Sequence, residues 1–406
     1  MLKKHTLLPS LSIIALLTSI PNIAGAETGS KESKVTFKPT ISVSESYDDN
    51  IYTERTDAHD DFYTKITPEF YIESGSDEFK TRFNAGITKF IYSDDPDNNR
   101  LDFTTGLKAN AKINSDLAWE GLLDYRRGHS ERGDADADPT NDILKPPVFT
   151  AKKASTALSY KILDFSLKPR VGITNYNFDD GVRMNGTVRP QNFRDRNEYI
   201  FGGRAIYNLA KDFDVFGDVE YNPRNYTFSS AAERTSVGGT YQGGVSFKPR
   251  KDMKIDLAAG YIDRKYDQAI YRDIHAPYFA GSWKWDVTEE TVLGASVDRV
   301  IMEITDAGSS GSVRTISKIT LAQKLGEKLT AKLEGRFTKS AYEGGNGATN
   351  GTDRDDNLYD TLAGFSYELT PQIKLNTDYI FTNKDSDRET SDSKRHVVTI
   401  GMTYGF

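Results

Sequence analysis

Apolar and polar residues alternate with a period of two along almost the whole chain, and this pattern restricts the fold more than any other feature. The last segment shows it clearly, since one phase carries Val398, Ile400, Met402, Tyr404 and Phe406 while the other is small or polar. In a β-strand, successive side chains point to opposite faces, so this pattern gives one apolar and one wet face. The chain is therefore predicted to be all-β.

The same alternation recurs in about eighteen segments separated by polar connections. An even number of strands suits a closed antiparallel barrel with both termini on one side. We therefore predict a single transmembrane β-barrel of about eighteen strands. The predicted strand segments are 35–43, 62–72, 79–87, 101–113, 117–125, 154–160, 163–173, 199–209, 213–221, 237–247, 255–261, 279–285, 293–297, 319–321, 329–337, 359–367, 375–381 and 398–406.

Short and long connections alternate between these segments, as transmembrane barrels require. The short turns, such as 114–116 and 210–212, carry residues that tolerate turn geometry. They are predicted to face the periplasm, with the longer polar loops outside the cell. The longest loops, 129–146 and 178–195, are the two candidates for folding into the lumen and narrowing it.

The N-terminus has the pattern of an export signal. Lys3 and Lys4 precede an apolar run that is too short for a spanning helix, and residues 24–26 form an A-x-A cleavage pattern. We predict a cleaved signal peptide at residues 1–26, a short periplasmic segment at 27–34 and the barrel at 35–406. The predicted location is the outer membrane of a Gram-negative cell.

Composition excludes several classes of protein. The chain has 22 Tyr and 21 Phe, and its mean hydropathy of -0.58 argues against a helical membrane protein. Because it has no cysteine, disulfide scaffolds, thiolate metal sites and cysteine nucleophiles are excluded. A net charge of -7 offers no basic patch for nucleic acid.

The polar phase of the strands is predicted to line the lumen and carries charges of both signs. Such a wall suits water or a polar solute. Acids concentrate near 214–220 and bases near 318–374, so the expectation is either a transverse field or a wall of paired charges. The predicted lumen residues are Arg82, Lys108, Lys112, Glu120, Asp124, Arg126, Lys168, Arg170, Arg204, Asp214, Asp218, Glu220, Asp256, Lys318, Lys332, Glu334, Arg336, Asp360, Lys374 and Asp378.

Signs of enzymatic or metal chemistry are weak. His59, His129, His275 and His396 fall near predicted external strand ends without a spaced nucleophile. The acidic run 134–142 resembles the start of a calcium loop, but the sixth position is proline and the twelfth is lysine. We predict no enzyme activity, no cofactor and no metal site.

The first strand ends on the sequence S-E-S-Y-D-D-N-I-Y at residues 44–52, and the next segment carries Thr67-Pro68 at its middle. This hairpin resembles the opening of the β-barrel porin type 2 family, whose members begin with a Tyr-Asp-Asn-Ile-like turn. The resemblance extends over the full length, including the terminal Phe406. It implies an exopolysaccharide or capsule conduit, working with a periplasmic polysaccharide-export protein.

The leading functional prediction is thus export of a secreted polysaccharide. The alternative is a passive porin for small polar solutes, and the third interpretation is an outer-membrane barrel enzyme or a surface-binding protein. The expected partners are membrane lipid, lipopolysaccharide and the barrel-assembly machinery. Tyr404 and Phe406 are the predicted C-terminal assembly signal for that machinery.

Overall fold

The computed structural model describes residues 34–132, 144–183, 185–228, 233–304, 309–344 and 353–406. Within them, eighteen antiparallel strands form one closed sheet, which confirms the predicted fold class. The predicted signal peptide and the calcium-like run at 134–142 lie outside the described residues. No helix within the described parts of the chain is long and apolar enough to cross a membrane.

Each strand pairs with its neighbours in chain order, apart from a two-stranded hairpin of β8 (Gly181–Val182) and β9 (Val188–Arg189) between β7 and β10. The barrel strands are β1 (Lys34–Asp48), β2 (Asp61–Gly75), β3 (Phe79–Tyr92), β4 (Arg100–Lys112), β5 (Leu117–His129), β6 (Val148–Ile162), β7 (Phe165–Phe178), β10 (Arg196–Ala210), β11 (Phe213–Tyr226), β12 (Ser236–Arg250), β13 (Met253–Tyr266), β14 (Ile274–Asp286), β15 (Thr291–Met302), β16 (Ser309–Leu325), β17 (Leu329–Gly344), β18 (Arg354–Glu368), β19 (Ile373–Ser386) and β20 (Ser393–Gly405).

Eight short turns and nine longer connections join these described strands in strict alternation, as predicted. We call the two ends of the barrel the turn end and the loop end. Three turns have only two residues, and two of them place a non-glycine residue in the left-handed region, Leu163 at φ 54° and Asp212 at φ 61°. The prediction that Leu163 begins a strand is wrong, because the β6–β7 turn needs this backbone conformation and strand β7 starts at Phe165.

The two faces of the wall differ as the alternation predicts. Large apolar side chains of the outer phase are exposed on every side, and Ile400 reaches 64% exposure. Aromatic side chains pack against one another across neighbouring strands of this face, as in Tyr47–Phe62 at 5.0 Å and Phe337–Tyr359 at 4.9 Å between ring centroids. An apolar belt of this extent requires apolar surroundings.

The barrel closes where β1 pairs with β20, from Thr40↔Gly405 to Asp48↔Val397. On the inner face of this seam, the Asp48 carboxylate is 0% exposed and accepts hydrogen bonds from the Arg395 guanidinium at 2.5 and 3.0 Å. The Asn50 side chain donates to the carbonyl of Lys394, also across the seam. The Tyr-Asp-Asn-Ile-like segment thus holds the first strand to the last.

Removal of the Asp48 carboxylate is predicted to weaken this seam. Asp48→Ala should lower the free energy of unfolding by roughly 2–3 kcal/mol, because it leaves a largely desolvated guanidinium without its counter-charge. Urea unfolding in lipid vesicles, followed by tryptophan fluorescence, measures the loss. Asp48→Ala/Arg395→Ala should lose less than the sum of the single variants.

The matched control for this pair is Arg55, which forms an ion pair with Glu389 on the exposed surface. Arg55→Ala should change the free energy of unfolding by less than about 0.5 kcal/mol. Equal losses for Asp48→Ala and Arg55→Ala would show that the seam does not depend on the Asp48–Arg395 pair.

Candidate functional site

The inner face of the barrel carries the charged residues that the alternation assigned to the lumen. The ladder registers fix their side, because residues paired directly across two strands share a face. Arg204, for example, pairs with Asp218 in the ladder, whereas the neighbouring Ala205 pairs with Gly217 on the outer face. By the same registers, all twenty predicted residues lie opposite the exposed apolar phase.

Most of these charges are compensated by a neighbour of opposite sign. Asp218 accepts from both Arg170 and Arg204, so the acidic run on β11 meets bases of β7 and β10. Local pairing of this kind leaves little of the transverse field that segregation along the sequence would create. The predicted residues form these ion pairs at N–O distances of 2.7–3.3 Å: Arg82–Glu73, Lys108–Glu120, Arg170–Asp218, Arg170–Glu220, Arg204–Asp218, Lys254–Asp256, Lys332–Glu334, Arg336–Asp360 and Lys374–Glu368.

The remaining predicted residues of the inner face are held differently. Lys318 is 4.0 Å from Glu334, Arg126 lies over the Phe149 ring at 5.3 Å, and Asp214 accepts from the Asn208 amide at 2.7 Å. The others have no ion pair with another described residue and are Lys112, Asp124, Lys168 and Asp378. The inner wall therefore carries two lysines and two aspartates that form no ion pair with another described residue.

The loop end of the β15–β16 hairpin leaves the wall and turns into the barrel. β14 pairs with β15 only from Ala280↔Asp298 to Asp286↔Val292, so the loop-end half of β14 has no β15 partner. β15 and β16 stay paired with each other as far as Met302↔Ser312. We call residues 301–304 and 309–313 the docked hairpin end.

The packing of the docked hairpin end shows which way it turns. Val313 belongs to the outer phase, yet it is only 4% exposed and packs in a cluster with Ile262, Ile274 and Ala276. Those three side chains lie on the inner face of β13 and β14. The outer face of the hairpin therefore rests on the inner face of its neighbours, which is possible only inside the barrel.

Polar contacts fix the same segment. The Arg234 guanidinium donates to the Ser310 carbonyl at 2.7 Å, and the Arg272 amide donates to the Ser310 hydroxyl at 2.6 Å. Gly311 has no room for a side chain, because a Cβ there would lie 2.8 Å from the Ile274 side chain and from the Tyr266 hydroxyl. These hydrogen bonds and close contacts hold the hairpin end in one position against the inner wall.

Glu303 connects the docked hairpin end to residues on a distant part of the wall. Its carboxylate is 3.0 Å from Arg224 on β11 and 3.9 Å from Arg234 in the β11–β12 connection. β11 is four strands from β15, about 19 Å along the wall at the usual strand spacing. Glu303 meets Arg224 through the interior, so the hairpin end occupies part of the lumen cross-section.

The docked hairpin end is not one of the two loops named as candidates for folding into the lumen. Those candidates were the connections between β5 and β6 and between β7 and β10, whereas the described inward segment belongs to the β15–β16 hairpin. Alternation could not reveal it, because Ile301 and Val313 have the same apolar phase whether they face lipid or pack on β14. Part of the β5–β6 connection lies outside the described residues.

The first three loops are tied together at the loop end. The Tyr52 hydroxyl donates to Asp95, and the Arg132 guanidinium lies 4.4 Å from the Tyr52 ring. Burial raises the pKa of the Tyr52 phenol to about 12, with the Asp95 hydrogen bond as a further cause. Burial also lowers the pKa of Arg132. A protonated phenol donor therefore joins loops from different hairpins at ordinary pH.

The four histidines are not gathered into a site. The buried His129 ring donates from Nδ1 to the Asp102 carboxylate at 2.8 Å, whereas His275 stacks with Tyr261 and His396 contacts Tyr379 at 2.8 Å. His59 lies against Tyr52 in the first loop. Within the described residues, no group of three or more His, Asp and Glu is arranged to hold a metal ion.

A groove of about 820 Å³ lies on the outer face and not in the lumen. Its lining includes Leu158, Leu167, Gly203, Ala205 and Val219, all of the outer phase. The small residues Gly203 and Ala205 leave space between larger apolar side chains. This groove faces the same apolar surroundings as the rest of the belt.

Sequence reasoning did not select the arginines around the docked hairpin end as lumen residues. Arg224 and Arg264 continue the inner phase at the loop ends of β11 and β13, so the alternation alone could have placed them. Glu303 could not be found in this way, because its partners depend on the bend of the hairpin.

Comparison with known proteins gives one family match and several distant structural similarities. The family model described as Putative beta-barrel porin 2 matches residues 24–406. OccAB4 of Acinetobacter baumannii is similar with a TM-score of 0.49 and 11% identity, covering 94% of this chain and 100% of that chain. OccK5 (OpdH) of Pseudomonas aeruginosa has a TM-score of 0.46 and 12% identity, covering 91% and 98%.

The siderophore receptor PiuA of Acinetobacter baumannii is similar at the same level, with a TM-score of 0.49, 8% identity and coverage of 93% and 82%. No protein among the curated sequences matches the chain. At these sequence identities and TM-scores, the similarity is limited to barrel architecture and gives no information about a transported solute.

Cysteine labelling should detect the docked hairpin end, since the natural chain has no cysteine. Ser310 is 0% exposed, so Ser310→Cys should react poorly with a membrane-impermeant maleimide added to intact cells. Ala58→Cys in the exposed first loop is the control and should react fully. Adding Gly311→Leu should make Ser310→Cys reactive, because the new side chain cannot fit against Ile274. Equal labelling of Ser310→Cys and Ala58→Cys would contradict docking.

Proposed function

The chain belongs to the Putative beta-barrel porin 2 family, and from this premise we propose that it conducts small polar solutes passively through its lumen. It is an outer-membrane β-barrel whose belt contacts lipid and whose inner wall is polar. Passive conduction needs a hydrated path and no cofactor. The ion-paired inner wall supplies that path, because paired charges solvate a polar solute without trapping one sign.

The docked hairpin end is the observation that supports a small solute. Open barrels of sixteen to eighteen strands leave a wide aqueous channel. Here Glu303 reaches β11 and Val313 packs on β13 and β14, so part of the cross-section at the loop end is occupied. A narrowed entrance admits small solutes and slows large ones.

Polysaccharide export, the leading prediction from the sequence, has less support. The family is described as a porin, and a polymer would need the docked hairpin end to move aside throughout transport. An export role also requires a periplasmic export protein as partner. We therefore place the passive channel first, with export as the second candidate.

An enzymatic role has little support within the described residues. The Asp102–His129 contact is the nearest approach to a catalytic pair, and it lies apart from the other three histidines. We propose that the histidines and aromatic residues stabilise the loop end. Tyr404 and Phe406 remain the proposed signal for the assembly machinery, and lipopolysaccharide remains a proposed contact of the outer loops.

Conductance in planar bilayers tests the proposed channel. The purified wild-type barrel should give discrete current steps in KCl without a partner protein. Gly311→Leu should give larger steps, because the displaced hairpin end no longer occupies the lumen. No current above that of the bare bilayer from either protein would overturn the proposal.

Gene deletion in the native host tests the second candidate. If the barrel is a passive channel, the deletion strain should secrete the parental amount of polysaccharide while taking up small polar solutes more slowly. Measurement of polysaccharide in the medium and of solute uptake separates the two roles. Loss of secreted polysaccharide, restored by the wild-type gene, would favour export.

A further inference from the structure

A cluster of buried arginines surrounds the end of Glu303 on the inner wall. We call Arg196, Arg224, Arg234 and Arg264 the arginine cluster. Arg196 is 2.8 Å and Arg224 is 3.7 Å from Glu198, while Arg224 and Arg234 share Glu303. Two carboxylates thus serve three guanidinium groups, on β10, β11 and the β11–β12 connection.

Arg264 is the member whose environment most clearly calls for an anion. It is 3% exposed, and its hydrogen-bond partners among the described residues are neutral oxygens, the Ser236 hydroxyl at 3.0 Å and the Asn222 side chain at 2.5 Å. Gly238 makes room for it, because a Cβ there would lie 2.6 Å from the Arg264 guanidinium. Burial of a charge without a counter-charge is costly.

Several hydrogen-bonding groups of the same region lack a partner among the described residues. The hydroxyls of Tyr226 and Tyr266 are buried and unpaired, and so are the Nε groups of Arg224 and Arg264. One Glu303 oxygen is also without a hydrogen bond. A buried polar group without a hydrogen bond keeps its full desolvation penalty. Among these unpaired groups, the hydrogen-bond donors outnumber the acceptors, and the Glu303 carboxylate does not satisfy all of the donors around it.

The Glu303 carboxylate and the groups around it come from different parts of the barrel. The arginines and tyrosines belong to the wall and its adjoining loop, whereas Glu303 is brought in by the docked hairpin end. A guanidinium cluster with added hydroxyl donors binds a carboxylate well, because charge-assisted hydrogen bonds are the strong ones. Glu303 thus stands where the carboxylate of a free solute would bind.

We propose that the arginine cluster, with Tyr226 and Tyr266, is a binding site for the carboxylate of a small solute and that Glu303 fills it when the hairpin end is docked. This assignment rests on the proposed channel function and names its solute class. A solute carboxylate competes with Glu303 for Arg224 and Arg234. Binding of the solute releases the hairpin end, and departure of the solute lets it dock again.

Calorimetric titration of the purified full-length barrel in detergent with succinate, at constant ionic strength set by chloride, tests the site. Glu303→Gln removes the internal competitor and should bind succinate about tenfold more tightly than the wild type. Arg264→Gln in the Glu303→Gln background should lose about tenfold of that affinity. Glu389→Gln and Arg55→Gln, an exposed carboxylate–arginine pair of the loop end, are the matched controls and should leave the affinity unchanged.

Three outcomes would overturn the assignment. Equal succinate affinity for Glu303→Gln and the wild type would show that Glu303 does not occupy the site. Retained binding in Glu303→Gln/Arg264→Gln would place the binding elsewhere. Tighter binding of inorganic phosphate than of succinate would contradict the carboxylate class. A heat-modifiable gel shift verifies that each variant is folded.

The succinate titration and the conductance measurement test different proposals, the carboxylate site and the passive channel. A barrel that conducts KCl but does not bind succinate keeps the channel and loses the carboxylate site. A barrel that binds succinate in the expected order of variants but never conducts keeps the site and loses the passive channel.

Discussion

Closure of the backbone hydrogen-bond network is the constraint on which the rest of this structure depends. A strand in a bilayer has no water for its edge, so the first and last strands must pair with each other. β1 and β20 do so over Thr40–Asp48, and the Asp48–Arg395 pair secures the inner side of that seam. Once the ring is closed, the strand period alone decides which side chains meet lipid and which meet the lumen.

That dependence explains how much could be read from the sequence. The two faces, the strand number and the alternation of turns and loops all follow from a period of two and from turn chemistry. The twenty charged lumen residues were placed on one face for the same reason. Leu163 was misplaced because an apolar side chain in a two-residue turn looks like the start of a strand.

The partners of the charged residues could not be read in the same way. Asp218 meets Arg170 only because β7, β10 and β11 have a particular register, which the spacing of residues along the chain does not state. The position of the docked hairpin end is even harder to predict from the sequence. Val313 is equally suited to lipid and to the inner face of β14, so its burial reflects a bend that arises from packing and from the Glu303 ion pairs.

The bend has a consequence for the surrounding bilayer. β14 and β15 are paired over seven positions, from Ala280↔Asp298 to Asp286↔Val292. At about 3.4 Å per residue and a tilt near 40°, this paired wall is about 18 Å tall, short of the roughly 25 Å apolar band of such barrels. Trp283 and Trp285 mark its turn end on the outer face. The outer wall is therefore lower beside β15 than beside β13 and β14, which stay paired as far as Arg264↔Ile274, and lipid next to β15 meets a shorter apolar face.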